Sequence, residues 1–245
     1  MRKIYVFTAL LSILLLSSLT AFAQTKSRED LLRDIEAKRA ELNALEKVFL
    51  APSEEDRNKY AEFLRSPDTG LIRLLPRETY DDNATKDRQR IVTRGGGAYY
   101  SFTRLTHEYG YGSDIELSRG ELSTGFAGAD YGLLTIIGDV PLESVSLETP
   151  AANILAAYNP PLEEPKVRLE QRRMGMGADL QGISVNRSVP LKLNSTYLLR
   201  SVNYDTSDVL VAFRVVRIDS DESAILLWKL LKKYPKPLLV RNNNN

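Results

Sequence analysis

Residues 209–218 constrain the fold more than any other stretch of the chain. Val209, Val211, Phe213 and Val215 fall on one face of an extended segment, and Leu210, Ala212, Val216 and Ile218 on the other. A strand with one wet face alternates apolar and polar residues, so a strand apolar on both faces is covered on both and sits inside a sheet. It therefore needs neighbours. Residues 197–203 and 224–232 supply two further apolar runs, set off by the turn-like stretches 204–208 and 219–223. The reading is a three-stranded antiparallel meander. The third run is ambiguous, since Lys229, Lys232 and Lys233 have helical spacing. The short turn before it favours a strand.

The β-prone chemistry extends upstream. Residues 98–105, 113–124 and 131–140 are rich in aromatic and β-branched side chains, with a turn at Arg119-Gly120. Residues 149–157 read as a short helix with Pro150 in its first turn. Before residue 77 the signals are helical. Ser27 is an N-cap with Glu29 and Asp30 behind it, and Leu31, Ile35, Lys38, Leu42, Leu45 and Phe49 are spaced 4, 3, 4, 3 and 4 apart. This is a heptad seam interrupted by Lys38. It spans fewer than three heptads, which favours a helix packed on its own domain over one that docks a partner or a second copy. Ser53 caps a second helix, and Leu71, Ile72, Leu74 and Leu75 have helical spacing in a short segment closed by Pro76. Residues 77–90 hold eight charges in fourteen positions and lead into Gly95-Gly96-Gly97. Such a stretch cannot bury itself and reads as a linker.

The expected fold is α+β: an N-terminal helical hairpin, then a mostly antiparallel β domain ending in the meander. The boundaries are a leader at 1–23, a helical region at 24–76, a charged and Gly-rich linker at 77–97, the β-rich domain at 98–241 and a disordered polar tail at 242–245.

The leader carries the strongest functional signal. Arg2 and Lys3 precede an uncharged, mostly apolar run from 4 to 19, and Ala21-Phe22-Ala23 places small residues where a signal peptidase reads them. Cleavage between Ala23 and Gln24 is expected. The competing reading is a retained anchor, but Ser12, Ser17, Ser18 and Thr20 dilute it. With the leader removed the chain is expected to have no membrane span. An exported chain without cysteine does without the disulfides that its compartment permits. That pattern is common among bacterial envelope proteins, so the expected location is periplasmic or secreted.

Composition removes several chemistries. With 33 basic and 32 acidic residues the formal charge is +1, which leaves no electrostatic case for nucleic acid. The absence of cysteine excludes thiolate metal sites and thiol nucleophiles, and a single histidine excludes multi-histidine sites. No metal and no cofactor are expected. Nine of the fourteen glycines lie between Gly95 and Gly132, with Tyr99, Tyr100, Tyr109, Tyr111, His107, Asp114 and Glu116 among them. Glycine admits close approach of a ligand and tyrosine offers a flat face with a hydroxyl, as sugar and peptide surfaces require. The alternative is a set of twisted strands whose tyrosines finish the core. Asp114 and Glu116 alternate onto one strand face about 7 Å apart, within the range a glycosidase pair uses, although such acids are ordinarily solvated. His107 has no Gly-x-Ser-x-Gly elbow to serve. Arg168, Arg172 and Arg173 are interleaved with glutamates and read as a mixed surface, and the glycines at 175, 177 and 182 do not form a nucleotide loop.

Three functions remain. The first is an exported, non-catalytic module that binds a protein partner or an envelope glycan. The second is a structural component that forms homo-oligomers through its N-terminal helix. The third, least supported, is a hydrolase of envelope polymers.

Overall fold

The computed structural model describes residues 26–80, 97–107, 109–110 and 112–241. The expected leader, the Ala23–Gln24 cleavage position, most of the expected linker and the 242–245 tail lie outside the described residues. The fold is α+β with antiparallel sheets, and it divides into two compact units at Phe49 and Leu50.

The first unit's described part is helix α1 (Arg28–Phe49). Ser27 caps it, its hydroxyl accepting from the Asp30 amide at 3.1 Å. None of its residues is buried.

In the second unit, Ser53 and Asp56 form a reciprocal capping box that starts helix α2 (Glu54–Lys59). Strand β1 (Thr69–Leu74) follows, so the helical segment expected at 71–75 is extended instead. Its partner is the reason. β1 runs antiparallel to β11 (Ala224–Tyr234), and Ile72 and Leu74 enter the core between sheets. Gly70 lies under Trp228: a Cβ there would sit 2.5 Å from the indole nitrogen. A short helix α3 (Arg77–Tyr80) precedes strand β2 (Tyr99–Tyr100), and β3 (Ile115–Ser118) and β4 (Glu121–Ser123) form the hairpin expected around Arg119-Gly120.

Strand β5 (Tyr131–Gly138), helix α4 (Pro150–Ala157), helix α5 (Glu164–Met176), the hairpin β6 (Ala178–Leu180) and β7 (Ile183–Val185), and strand β8 (Ser188–Pro190) come next. Sequence reading found α4 and missed α5, in which only Val167 and Met174 are buried. Strands β9 (Thr196–Asn203), β10 (Ser207–Ile218) and β11 complete the expected meander, with residues 224–234 resolved as strand.

The main sheet has the order β1-β11-β10-β9-β5, which puts β10 in the middle. Val209, Val211, Phe213 and Val215 join one core, against Tyr100, Ile115, Leu117, Leu122 and Val189 of a smaller sheet ordered β2-β3-β4-β8 and Phe102 of the turn after β2. Leu210 and Ala212 join a second core, against Ala152 and Leu155 of α4 and Val167 and Met174 of α5. The unit is thus layered: small sheet, main sheet, helices. One expectation about β10 fails in detail. A bulge between Val215 and Arg217 reverses the alternation, so Ile218 packs with the Val209 face while Val216 packs with the other.

Candidate functional site

The Gly/Tyr region does not present its polar groups to solvent. Pairing of β2 with β3 sets Tyr99 opposite Glu116. Ile115 and Leu117 point into the core between sheets, so Glu116, between them, lies on the other face of the small sheet. Both Tyr99 and Glu116 are buried there. The Tyr99 hydroxyl donates to Glu116 Oε1 at 2.6 Å, Arg77 Nη1 donates to the same oxygen at 3.1 Å, and Ser123 Oγ donates to Oε2 at 3.1 Å. Burial and the bond to Glu116 push the Tyr99 hydroxyl's pKa far up. Tyr109 and Phe126 pack edge-on against the Tyr99 ring at 4.9 and 5.1 Å.

Asp114 belongs to a different cluster. It accepts from the Phe102 amide at 2.7 Å, from Ser201 Oγ at 2.6 Å and from Asn203 Nδ2 at 2.8 Å, and is fully buried between the two sheets. Desolvation pushes its pKa up to about 6 against the opposing pull of those donors. Asp130, also buried, accepts from the Tyr204 amide at 2.9 Å. Its pKa rises to about 7 through desolvation, with the negative field of Asp114 adding to the shift. The expectation of two solvated acids sharing one strand face is therefore corrected. Asp114 stands just before β3 and turns to β9, while Glu116 stays with Tyr99 and Arg77.

The other candidates scatter. Tyr100 lies in the core with its hydroxyl pKa raised by burial to about 12. His107 Nε2 bonds the Arg73 carbonyl at 2.7 Å and its ring meets Tyr100 edge-on, with desolvation lowering its pKa. Tyr109 alone of the described aromatic candidates is exposed, at 60 %. Tyr111 lies outside the described residues. Among the described residues no three His, Asp or Glu side chains are grouped to hold a metal ion, and no helix is long and apolar enough to cross a membrane.

Two arrangements escaped sequence reading. Arg200 and Asp208 form a buried bidentate ion pair at 2.5 and 2.8 Å. Arg200 also donates to the Leu155 carbonyl and lies on the Tyr234 ring. The first clue is an arginine inside an apolar strand, which requires a counter-charge. The second is a cleft of about 520 Å³ lined by Thr103, Arg104, Asp205, Thr206, Ser207, Lys233, Tyr234 and Lys236. Its residues come from three distant stretches of sequence, so no local pattern announces it.

On α1 the seam residues Leu31, Ile35, Leu42, Leu45 and Phe49 are between 43 and 63 % exposed. Compared with protein-family models, curated proteins and solved structures, the chain matches none of them.

Proposed function

We propose that the protein is an exported, non-catalytic interaction module of the cell envelope, in which helix α1 pairs with a second copy of the chain. The observation that carries this reading is an apolar seam at heptad spacing on a 22-residue helix with no buried residue. Most helical stability in proteins comes from packing an amphipathic face, and an apolar stripe is favourable only when something covers it.

The sequence of the seam suits a second copy. Ile35, Leu42 and Phe49 take one core position of the heptad, and Leu31, Lys38 and Leu45 the other. A β-branched residue at the first position with leucine at the second favours two parallel strands, a pattern that Ile35 beside Leu31 follows and Leu42 and Phe49 do not, and a polar seam residue such as Lys38 restricts the register. In such a pair Asp34 of each copy flanks Arg39 of the other, an attraction made twice. Glu41 and Glu46 meet as like charges and weaken the pair. With fewer than three heptads the association is concentration-dependent. The apolar leader with small residues before Gln24 supports export.

Sedimentation equilibrium of residues 24–245 tests the pairing. The expected result is a monomer–dimer equilibrium that Lys38→Leu tightens and that Leu42→Lys, or removal of residues 24–50, abolishes. A monomer at every concentration, with Lys38→Leu also monomeric, overturns it. N-terminal sequencing of protein recovered from the cell envelope tests export, with Gln24 expected first.

A further inference from the structure

We propose that the groove between strands β5 and β8 takes up an extended, uncharged segment of a protein partner, which adds a strand to the free edge of β5. The site is independent of the pairing of α1. Each of the two strands ends its own sheet, so each has one edge without a ladder partner among the described residues. A groove of about 550 Å³ lies between them, lined also by Ala151 of α4 and Ile183 of β7.

Hydrogen-bond parity fixes what the two edges offer. Leu134 exchanges both backbone bonds with Asn186, at 3.0 and 2.9 Å, on the side of β5 away from β9. Alternate residues of a strand turn their N–H and C=O the same way, so Ile136 also turns its pair outward. On β8 the Arg187 carbonyl accepts from the Thr124 amide and the Leu191 amide donates to the Gly120 carbonyl. Both bonds point toward β4, so Ser188 faces away from it. Neither edge runs further. The Gly138 carbonyl accepts from the Val140 amide, the Pro190 carbonyl accepts from the Tyr197 hydroxyl, and Pro190 has no N–H. A bulge also interrupts β5 between Ile136 and Gly138. The edges thus offer a short site for one strand, not a long flat template for aggregation.

The lining selects the occupant. Ile136, Ile137, Ile183, Val189 and Pro190 supply an apolar wall, and no lining residue is charged or aromatic. The clefts around Lys59 and Glu62, around Arg173 and Asp179, and around Lys233 and Asp205 each mix both signs of charge. In the β5–β8 groove a charged side chain would lose water without gaining a counter-charge, and a sugar ring would find no aromatic face. Backbone amides and β-branched side chains suit both the free edge at Ile136 and the apolar wall. One polar group of the lining is left over. Thr135 is only 6 % exposed, and its hydroxyl bonds none of the described residues. A buried hydroxyl without a partner is costly, and a strand laid along β5 offers it one.

NMR titration of residues 24–245 tests the site. The probe is the peptide Gly-Ser-Thr-Val-Thr-Val-Thr-Ser-Gly, acetylated and amidated so that it carries no charge. Saturable shifts of the Ile136 and Ser188 amides are expected. The same peptide N-methylated at its Thr and Val residues keeps the side chains and loses the N–H donors, and it is expected to bind at least about tenfold more weakly. Ile136→Pro removes the edge N–H at a place where a strand tolerates proline, and it is expected to weaken binding by about threefold to tenfold. Because that change also removes a side chain packed on the core, a second variant acts from an exposed position. Ser184→Lys puts a charge into the lining and is expected to weaken binding by at least about threefold. Asn58→Lys, which adds the same charge on α2, is expected to leave it unchanged. Circular dichroism confirms that the variants are folded. No binding of the peptide overturns the proposal, as does equal binding of its methylated form. Binding of chitotetraose in place of the peptide assigns the groove to a glycan and overturns it too.

Discussion

Strand β10 and helix α1 both place apolar residues at the period of their own geometry, and they end in opposite environments. In β10 every position from Val209 to Phe213 is buried, with successive residues feeding different cores. In α1 no position is buried. A two-faced pattern cannot be satisfied by one neighbour, so it forces the strand inside its own unit. A one-faced stripe needs only one cover, and the cover can belong to another chain. Periodicity therefore reports which face is apolar. Whether the same chain covers that face depends on how many faces there are.

The sharpest test of this contrast pairs Phe213→Ala with Leu42→Ala. The Phe213 ring stacks on Tyr197 at 5.0 Å and is fully buried, so its loss is expected to cost about 3–5 kcal/mol in urea unfolding. Leu42→Ala is expected to change the unfolding of dilute, monomeric protein by less than about 0.5 kcal/mol. A cost of about 2 kcal/mol or more at Leu42 in the monomer would mean that the helix packs on its own chain, and the contrast would collapse.

The polar interior follows the same logic. Asp208→Ala leaves Arg200 buried without its counter-charge, and the expected cost is about 3 kcal/mol. The double change Arg200→Met, Asp208→Leu, which removes both charges, is expected to recover most of that loss. If the double variant is as unstable as the single one, the pair's value lies in its bonds to Leu155 and Tyr234 rather than in charge compensation.

Asp130 supplies a smaller effect with a defined sign. Its folded pKa, about 7, lies above the ordinary carboxylate value, so the folded state holds a proton that the unfolded state has released. Stability from this group is present in acid and is lost as pH rises through about 7. Asp114 acts in the same direction through about 6. His107 opposes both: its pKa is lowered, so acidification below the ordinary histidine value favours the unfolded chain. The comparison of wild type with Asp130→Asn isolates one term, because the amide oxygen still accepts from Tyr204. The variant is expected to be more stable at pH 8 by about 1–3 kcal/mol, with the difference shrinking through pH 5 and vanishing at about pH 3, below the ordinary carboxylate value, as followed by thermal unfolding. A variant less stable at pH 8 would show that the buried charge is welcome there.

How much of this was legible depends on how far each residue's partner lies along the chain. The meander, the β3–β4 turn, the Ser27 and Ser53 caps and α4 follow from adjacent residues, and sequence reading places them. The extended conformation of 69–74 depends on β11, whose Trp228 fills the space above Gly70. Local spacing around Leu71 suggests a helix because its real neighbour is remote. α5 buries one residue per two turns, too sparse a stripe to detect. The bulge at Val216 is invisible in composition, and it alone moves Ile218 to the other face. The candidate site suffers most. Glycine and tyrosine between 95 and 132 suggest an open surface, but Asp114 meets Ser201 and Asn203 and Glu116 meets Arg77. These remote donors turn both acids inward.

The smallest effect compares two tyrosines of that region. Tyr99 and Tyr109 touch through their rings, yet one is buried and bonded to Glu116 while the other is 60 % exposed. Tyr99→Phe keeps the ring and removes only the hydroxyl, leaving Glu116 with Arg77 and Ser123. The expected cost is about 1–1.5 kcal/mol, the net worth of a bond to a charged acceptor that retains other donors. Tyr109→Ala is expected to cost less than about 0.5 kcal/mol, apart from what its edge contact with Tyr99 provides. The two changes also separate structure from recognition. If the region binds an envelope glycan, Tyr109→Ala lowers that binding with stability intact, whereas Tyr99→Phe lowers stability with binding intact. Equal and small effects of both changes on both measurements would show that the polar cluster under β2 and β3 is neither a stabilising element nor a ligand surface. The inward turn of these acids would then reflect only the strand register that places Tyr99 opposite Glu116.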